Sequence, residues 1–129
     1  MKKTVSLFLV TVFLLSAAVF ALSGCGLLKS ITPDEAKQTL ESAGYTVTVM
    51  SGEEYAESDE NTYMLFATEL DSYLYAVKDS DVIYMYFFTD TDTASRNYDF
   101  MIAPDKLLGG QNNNVIYFAT KQARKDAKV

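Results

Sequence analysis

The segment that decides the fold is LDSYLYAVKDSDVIYMYFF, residues 70–88. It consists of two runs rich in aromatic and aliphatic residues, 70–78 and 82–88, separated by Asp79, Ser80 and Asp81. Aspartate and serine favour turns because their side chains form hydrogen bonds with the nearby backbone. The segment therefore predicts a β-hairpin.

Alternation along the two strands sorts their side chains onto opposite faces, because successive residues of a strand point in opposite directions. With an even number of loop residues, Tyr75 is expected to face Tyr86 and Val77 to face Tyr84. One face then carries the apolar residues Leu74, Ala76, Ile83, Met85 and Phe87. The other face carries Tyr73, Tyr75, Tyr84 and Tyr86, which we call the tyrosine face.

The tyrosine face is the candidate binding site. Tyrosine is amphipathic and is enriched at recognition surfaces. Cross-strand aromatic pairs also stabilise sheets, so the alternative interpretation assigns these rings a structural role only. We expect Tyr75 and Tyr86 to be partly buried, and Tyr73 and Tyr84 to be more exposed.

A helix is predicted before the hairpin, over residues 33–43. Thr32 and Glu35 form the Thr-x-x-Glu pattern of a capping box, and Pro33 occupies the first helical position, which suits proline. Gly44 follows as the expected stop, because glycine adopts the left-handed conformation that ends many helices.

The other segments alternate between apolar and polar runs. The predicted elements are a strand at 45–50, a helix from Asp90 or Thr91 to about 102, a strand at 115–119 and a helix at 120–128. The acidic segment 51–61 indicates an exposed loop, residues 63–66 fit a helix or a strand equally well, and Gly109-Gly110 indicates a break. This order predicts an α+β fold, with a small antiparallel or mixed sheet and two to three helices packed on one face.

The hairpin runs into Asp90-Thr91-Asp92-Thr93. An apolar strand followed by Asp-x-Asp resembles the nucleophile motif of haloacid-dehalogenase-like phosphatases, which implies a nucleophilic Asp90, an acid/base Asp92 and Mg²⁺. Only 37 residues follow Asp92, too few for the remaining motifs of that family. Helix capping explains the same residues, so no catalytic residue is predicted.

Two charged groups are interpreted as solvated surface. The acidic residues lack the calcium-loop pattern of spaced aspartates, glycine and a final glutamate, so no metal site is predicted. The basic residues of the C-terminal helix either face anionic lipid or wall polymer, or stabilise the helix end. They are Lys121, Arg124, Lys125 and Lys128.

The N-terminal segment has the regions of a secretory signal: a basic start, an apolar run at 5–22, and small residues after it. The run ends in Leu22-Ser23-Gly24-Cys25, which resembles the lipobox of bacterial lipoproteins. The resemblance implies that Leu22, Ser23 and Gly24 are recognised for cleavage and that Cys25 receives a diacylglyceryl group. The alternatives are an uncleaved anchor, for which this run is short, and ordinary secretion.

The resemblance divides the chain into a signal peptide (1–24, the signal helix), a lipidated cysteine with a short tether (25–30) and a single α+β domain (31–129). It implies an extracytoplasmic protein on the outer leaflet of the plasma membrane. Because Gly26 rather than aspartate follows Cys25, it implies the outer membrane in a host with two membranes.

Composition excludes several kinds of site. The chain has no histidine and one cysteine, so the usual zinc sites and histidine-activated nucleophiles are excluded and no cofactor is expected. Loss of Lys2 and Lys3 leaves nine of the 11 basic residues against 17 acidic ones, a net charge of −8, which disfavours nucleic acid as a partner.

The sequence predicts a non-enzymatic binding or interaction module with an envelope protein or polymer as partner. The alternatives are a small carboxylate-dependent enzyme and a structural subunit of an envelope complex.

Overall fold

The computed structural model describes residues 30–129. The predicted signal peptide 1–24, with Leu22, Ser23 and Gly24, and the lipidation site Cys25 lie outside the described residues. The elements in chain order are Pro33–Ser42 (α1), Thr46–Ser51 (β1), Gly52–Glu57 (α2), Leu70–Lys78 (β2), Asp81–Phe88 (β3), Thr91–Tyr98 (α3), Leu108–Asn112 (β4), Val115–Ala119 (β5) and Lys121–Ala127 (α4).

The five strands form one antiparallel sheet in the spatial order β1-β2-β3-β5-β4. β3 pairs with β5, and β4 lies at the edge beyond β5 as the other strand of a hairpin. The α+β class and the antiparallel sheet are confirmed. The described residues contain four helices where the sequence predicts two to three, because α2 lies inside a segment predicted to be a loop.

Helices cover both faces of the sheet, so the prediction of a single covered face is wrong. The first face packs against α1 and α4 through Ala36, Leu40, Ala123 and Ala127. The second face packs against α2, α3 and their following loops through Tyr55, Leu65, Ala94 and Met101. The reason is that every residue of the interior strand β5 is buried, so both of its sides need an apolar cover.

α1 begins and ends as its sequence signals predict. The Thr32 hydroxyl accepts a hydrogen bond from the Glu35 N–H, and the Glu35 carboxylate accepts one from the Thr32 N–H, both at 3.2 Å. Gly44 has φ +94°, a conformation that side chains disfavour. The Lys78 ammonium donates to the Ala43 carbonyl at 2.8 Å, which joins the helix end to β2.

The predicted hairpin is confirmed, but its predicted register is wrong by two residues. Lys78 pairs with Asp81, so the loop contains only Asp79 and Ser80. Two-residue loops are favoured because their twist matches that of the strands. The observed pairs are Tyr73 with Tyr86, Tyr75 with Tyr84, and Val77 with Val82. A shift of two residues preserves the alternation, so the tyrosine face remains on one side of the sheet.

The first half of the acidic segment 51–61 is a helix rather than an exposed loop. Ser51 and Glu54 form a reciprocal capping box, a pattern that the charge of the segment obscures. A Cβ at Gly52 would overlap the carbonyl oxygen of Leu70, so this glycine lets α2 start directly against β2. Tyr55 is completely buried and anchors the helix to the sheet.

Two further boundaries differ from the prediction. α3 ends at Tyr98 rather than near residue 102, although Met101 is still buried against the second face. Gly109 and Gly110 lie in β4 instead of breaking the chain, because the rings of Phe118 and Tyr117 occupy the space that their side chains would need.

Candidate functional site

The structure brings the four predicted tyrosines together on the second face of the sheet, but it buries them in a different order. Tyr73 and Tyr86 are 1% and 3% exposed, and Tyr75 and Tyr84 are half-buried. The expectation that Tyr73 would be among the more exposed rings is therefore wrong. α2 causes the difference, because it covers the end of the hairpin where Tyr73 and Tyr86 pair.

Two further tyrosines, Tyr55 and Tyr63, complete this group. The Tyr55 ring lies 4.5 Å from the Tyr73 ring and meets the Tyr86 ring edge-on at 5.7 Å, measured between ring centroids. The Tyr63 ring meets the Tyr86 ring edge-on at 5.8 Å. Both added residues come from segments without a clear helix or strand period, so no pattern in the sequence places them here.

A cleft of about 160 Å³ opens beside these rings, and we call it the tyrosine cleft. β2 and β3 supply its tyrosine surface, and the loops after α2 and α3 supply its remaining walls. The lining residues are Glu60, Thr62, Tyr63, Tyr73, Tyr84, Tyr86 and Pro104. Tyr75 is outside this lining and pairs instead with Tyr84, at a centroid distance of 5.0 Å.

Hydrogen bonds and buried side chains hold the walls of the tyrosine cleft in place. The Tyr63 hydroxyl donates to the Ile102 carbonyl at 2.6 Å, which joins the two loops. The Asn61 side chain accepts from the Leu65 N–H at 2.8 Å and donates to the Leu65 carbonyl at 3.0 Å. Leu65 and Met101 are both buried, so each loop is attached to the sheet by an apolar side chain.

The tyrosines of the cleft are neutral at physiological pH. Burial raises the pKa of Tyr73 and Tyr86 well above the ordinary value of 10.0, because a buried phenolate would lose its hydration. Burial also raises the pKa of Tyr63 and Tyr84. The negative charge of Glu60 adds to the increase at Tyr73 and Tyr84. The cleft thus combines neutral phenol groups with one carboxylate.

The Tyr55 hydroxyl lies behind the cleft and has no hydrogen-bond partner among the described residues. Burial raises its pKa, and the hydroxyls of Tyr86 and Thr62 are close enough to offset part of that increase. Neither of them reaches hydrogen-bonding geometry with Tyr55.

Asp90 acts as a helix cap. Its carboxylate accepts a hydrogen bond from the Thr93 N–H at 2.7 Å, and bonds from Thr93 lower the pKa of Asp90. Asp92 lies exposed in the first turn of α3, where its negative charge stabilises the helix by interacting with the positive end of the helix dipole. This geometry supports the capping interpretation of the phosphatase-like motif.

The basic residues near the C-terminus belong to α4 and its end, on the opposite face from the tyrosine cleft. The Arg124 guanidinium lies over the Tyr117 ring, 5.8 Å from its centroid. Lys121, Lys125 and Lys128 are exposed. A contact of these residues with anionic lipid or wall polymer stays a prediction.

Within residues 30–129, no group of three or more acidic or cysteine side chains is arranged to hold a metal ion. In the same part of the chain, no helix has both the length and the apolar character needed to cross a bilayer.

The tyrosine cleft has to be interpreted from its own chemistry. No protein-family model, curated protein or solved structure matches this chain.

Proposed function

We propose that this protein is a lipid-anchored, non-enzymatic binding module on the extracytoplasmic side of a bacterial membrane. Lipid on Cys25 holds it at the outer leaflet of the plasma membrane, or at the outer membrane of a two-membrane host. The tyrosine cleft binds a component of the envelope. The lipobox-like residues Leu22, Ser23 and Gly24 support the anchor, and the cleft supports the binding role.

The tyrosine cleft is the single observation that carries the binding role. Ligand sites typically combine apolar and aromatic walls with a few polar groups that orient the ligand. Here Tyr73, Tyr84 and Tyr86 supply the aromatic surface, and Glu60 and Thr62 supply polar groups. Because packing already holds the buried rings, little side-chain freedom is lost when a ligand binds.

The proposed anchor places the cleft in the envelope. Residues 25–30 separate the lipid from the domain, and an extended chain covers about 3.5 Å per residue. The tether therefore reaches only about 20 Å, so the domain stays close to the bilayer. Ligands of the cleft are expected among envelope proteins, polymers and lipids, or among small molecules that pass them.

The two alternatives make different demands on the structure. A carboxylate-dependent enzyme needs two acids that converge in one cleft. Glu60 is the one acid among the described residues that line the tyrosine cleft, and Asp90 is engaged as a helix cap. A structural subunit would instead co-purify with a membrane complex, whatever the state of its cleft.

Cys25→Ala tests the anchor. In bacteria, this variant should take up no clickable palmitate analogue and should keep its N-terminal segment, because no thiol is left to accept the diacylglyceryl group. Ser23→Ala is the matched control, since it keeps a small residue before Gly24 and should still be labelled. A wild-type chain that takes up no label would contradict the lipoprotein assignment.

A ligand panel tests the binding role. The full chain, isotopically labelled on its tyrosine rings and held in maltoside micelles, is titrated with neutral sugars, short peptides, ammonium compounds and anionic polymer fragments. A ligand of the cleft should shift the ring resonances of Tyr84 and Tyr86. Tyr45 and Tyr117 pack on the first face of the sheet and serve as internal controls. If no class of compound shifts the cleft rings selectively, the binding role is wrong.

A further inference from the structure

The lining of the tyrosine cleft is electronegative. The face of a phenol ring carries the negative part of its quadrupole and attracts cations. Among residues 30–129, Glu60 is the one formally charged residue that lines the cleft, and its carboxylate acts electrostatically on Tyr73 and Tyr84. An anionic ligand would meet this carboxylate without a basic side chain to neutralise it.

Two tyrosines outside the cleft, Tyr45 and Tyr117, are paired with cations of the chain itself. The Lys78 ammonium lies 5.8 Å from the Tyr45 ring centroid, and the Arg124 guanidinium lies 5.8 Å from that of Tyr117. By contrast, no lysine or arginine of residues 30–129 lines the tyrosine cleft. The half-buried rings of Tyr63 and Tyr84 are therefore available to a cation that comes from outside.

The size of the cleft suits a small cationic group. A volume of about 160 Å³ has room for several water molecules, since one water needs roughly 10–15 Å³ of such space. A tetrahedral ammonium with its methyl groups has five non-hydrogen atoms and fits this space. A tail attached to the ammonium can extend from the open side of the cleft.

The aromatic lining favours a methylated over a primary ammonium. A primary ammonium has three N–H donors that all need acceptors once water is removed. Glu60 supplies one charged acceptor, and the other polar side-chain atoms of the lining are neutral hydroxyl oxygens of threonine and tyrosine. A methylated ammonium needs no hydrogen bond and is recognised by aromatic rings through cation–π attraction.

We propose that the tyrosine cleft binds the methylated ammonium group of a small molecule or of a lipid head group. The proposal rests on the proposed binding function and adds the chemical class of the ligand. The half-buried rings of Tyr63 and Tyr84 provide the cation–π surface, and the Glu60 carboxylate provides the balancing charge.

Choline and its neutral carbon isostere, 3,3-dimethyl-1-butanol, test the proposal because they share shape and differ in charge. Each is titrated into the full chain in maltoside micelles, with the tyrosine ring resonances as the readout. Choline should bind at least about tenfold more tightly than the isostere, and ethanolamine should bind more weakly than choline. Equal affinities for choline and the isostere, or tighter binding of ethanolamine, would overturn the proposal.

Glu60→Gln tests the role of the carboxylate. It should weaken choline binding by about tenfold, the scale of one partly screened charge pair, and leave binding of the isostere unchanged. Glu57→Gln is the matched control, because Glu57 is exposed on neighbouring α2 and does not line the cleft. Equal effects of the two substitutions would show that only the overall negative charge matters, which would contradict a cation site at Glu60.

Two further comparisons identify the source of the ligand and show whether a negative result contradicts the ammonium proposal alone or the binding function as well. Free choline and vesicles of phosphatidylcholine are compared, with phosphatidylglycerol vesicles as the background; binding of either choline source above that background supports the cation site. If sugars or peptides shift the cleft rings while choline does not, the ammonium proposal is wrong and the binding function stands. If nothing shifts them, both are wrong.

Discussion

Replacement of Tyr86 by alanine is expected to cost much more stability than the same change at Tyr75. Tyr86 is 3% exposed. Its ring packs against those of Tyr55, Tyr63, Tyr73 and Phe118, at centroid distances of 5.7, 5.8, 5.3 and 6.2 Å. Tyr75 is half-buried and pairs with the ring of Tyr84. The two residues share a sheet face but differ in how completely they are enclosed.

The expected magnitudes follow from this packing. Truncation of a buried aromatic residue to alanine costs about 3–5 kcal/mol, so we expect about 4 kcal/mol for Tyr86→Ala. One aromatic pair contributes about 0.5–1.5 kcal/mol beyond burial, and the partial burial of the ring adds about 1 kcal/mol, so we expect about 2 kcal/mol in total for Tyr75→Ala. A domain of this size has a free energy of unfolding of about 5–15 kcal/mol. At roughly 4–8 °C per kcal/mol, Tyr86→Ala should lower Tm by about 16–32 °C.

Urea unfolding of the chain, followed by far-ultraviolet circular dichroism, measures both variants against the wild type. The denaturant slope m should stay the same, so that the shift in midpoint reports stability directly. Tyr86→Phe is the control that keeps the ring, and it should cost much less than Tyr86→Ala. Equal losses for the two alanine variants, or a loss below about 1 kcal/mol at Tyr86, would refute the assignment of Tyr86 to the core.

Two further predictions concern the start of α2 and the alkaline limit of stability. Gly52→Ala should destabilise the domain by about 3 kcal/mol or more in the same assay. The new Cβ would lie closer to the Leu70 carbonyl oxygen than 3.0 Å, the shortest contact that Cβ atoms make in proteins. Gly44→Ala, which meets only the flexible Lys78 side chain and a left-handed backbone, should cost about 1–2 kcal/mol; equal costs would contradict the tight start of α2. Burial raises the pKa of Tyr73 and Tyr86 above 10.0. Their contribution to stability is therefore fully present below pH 10.0 and is lost as the pH rises further. The loss occurs because the unfolded chain then releases protons that the folded chain retains. Tyrosinate absorbance near 295 nm should show these two residues ionising only together with unfolding; ionisation of all nine tyrosines near pH 10.0 in a folded chain would contradict their burial.

The elements that could be predicted from the sequence are those whose signals are local. The capping box of Thr32 and Glu35 and the glycine at position 44 define α1 through hydrogen bonds within a few residues. The alternation in 70–88 defines the hairpin and its two faces, because side chains of a strand alternate whatever the exact pairing. The exclusion of histidine chemistry and the lipobox resemblance also depend on the sequence alone.

The tyrosine cleft was decided by the tertiary structure. Local signals do not specify that α2 crosses the tyrosine face, that Tyr55 lies on Tyr73, or that the Tyr63 hydroxyl reaches the Ile102 carbonyl 39 residues away. Each of these depends on contacts between segments distant in the sequence, and on the need to cover both apolar sides of β5. Alternation could therefore place four tyrosines on one face, but only packing determined which of them are buried, which line a cleft, and that Glu60 lies beside them.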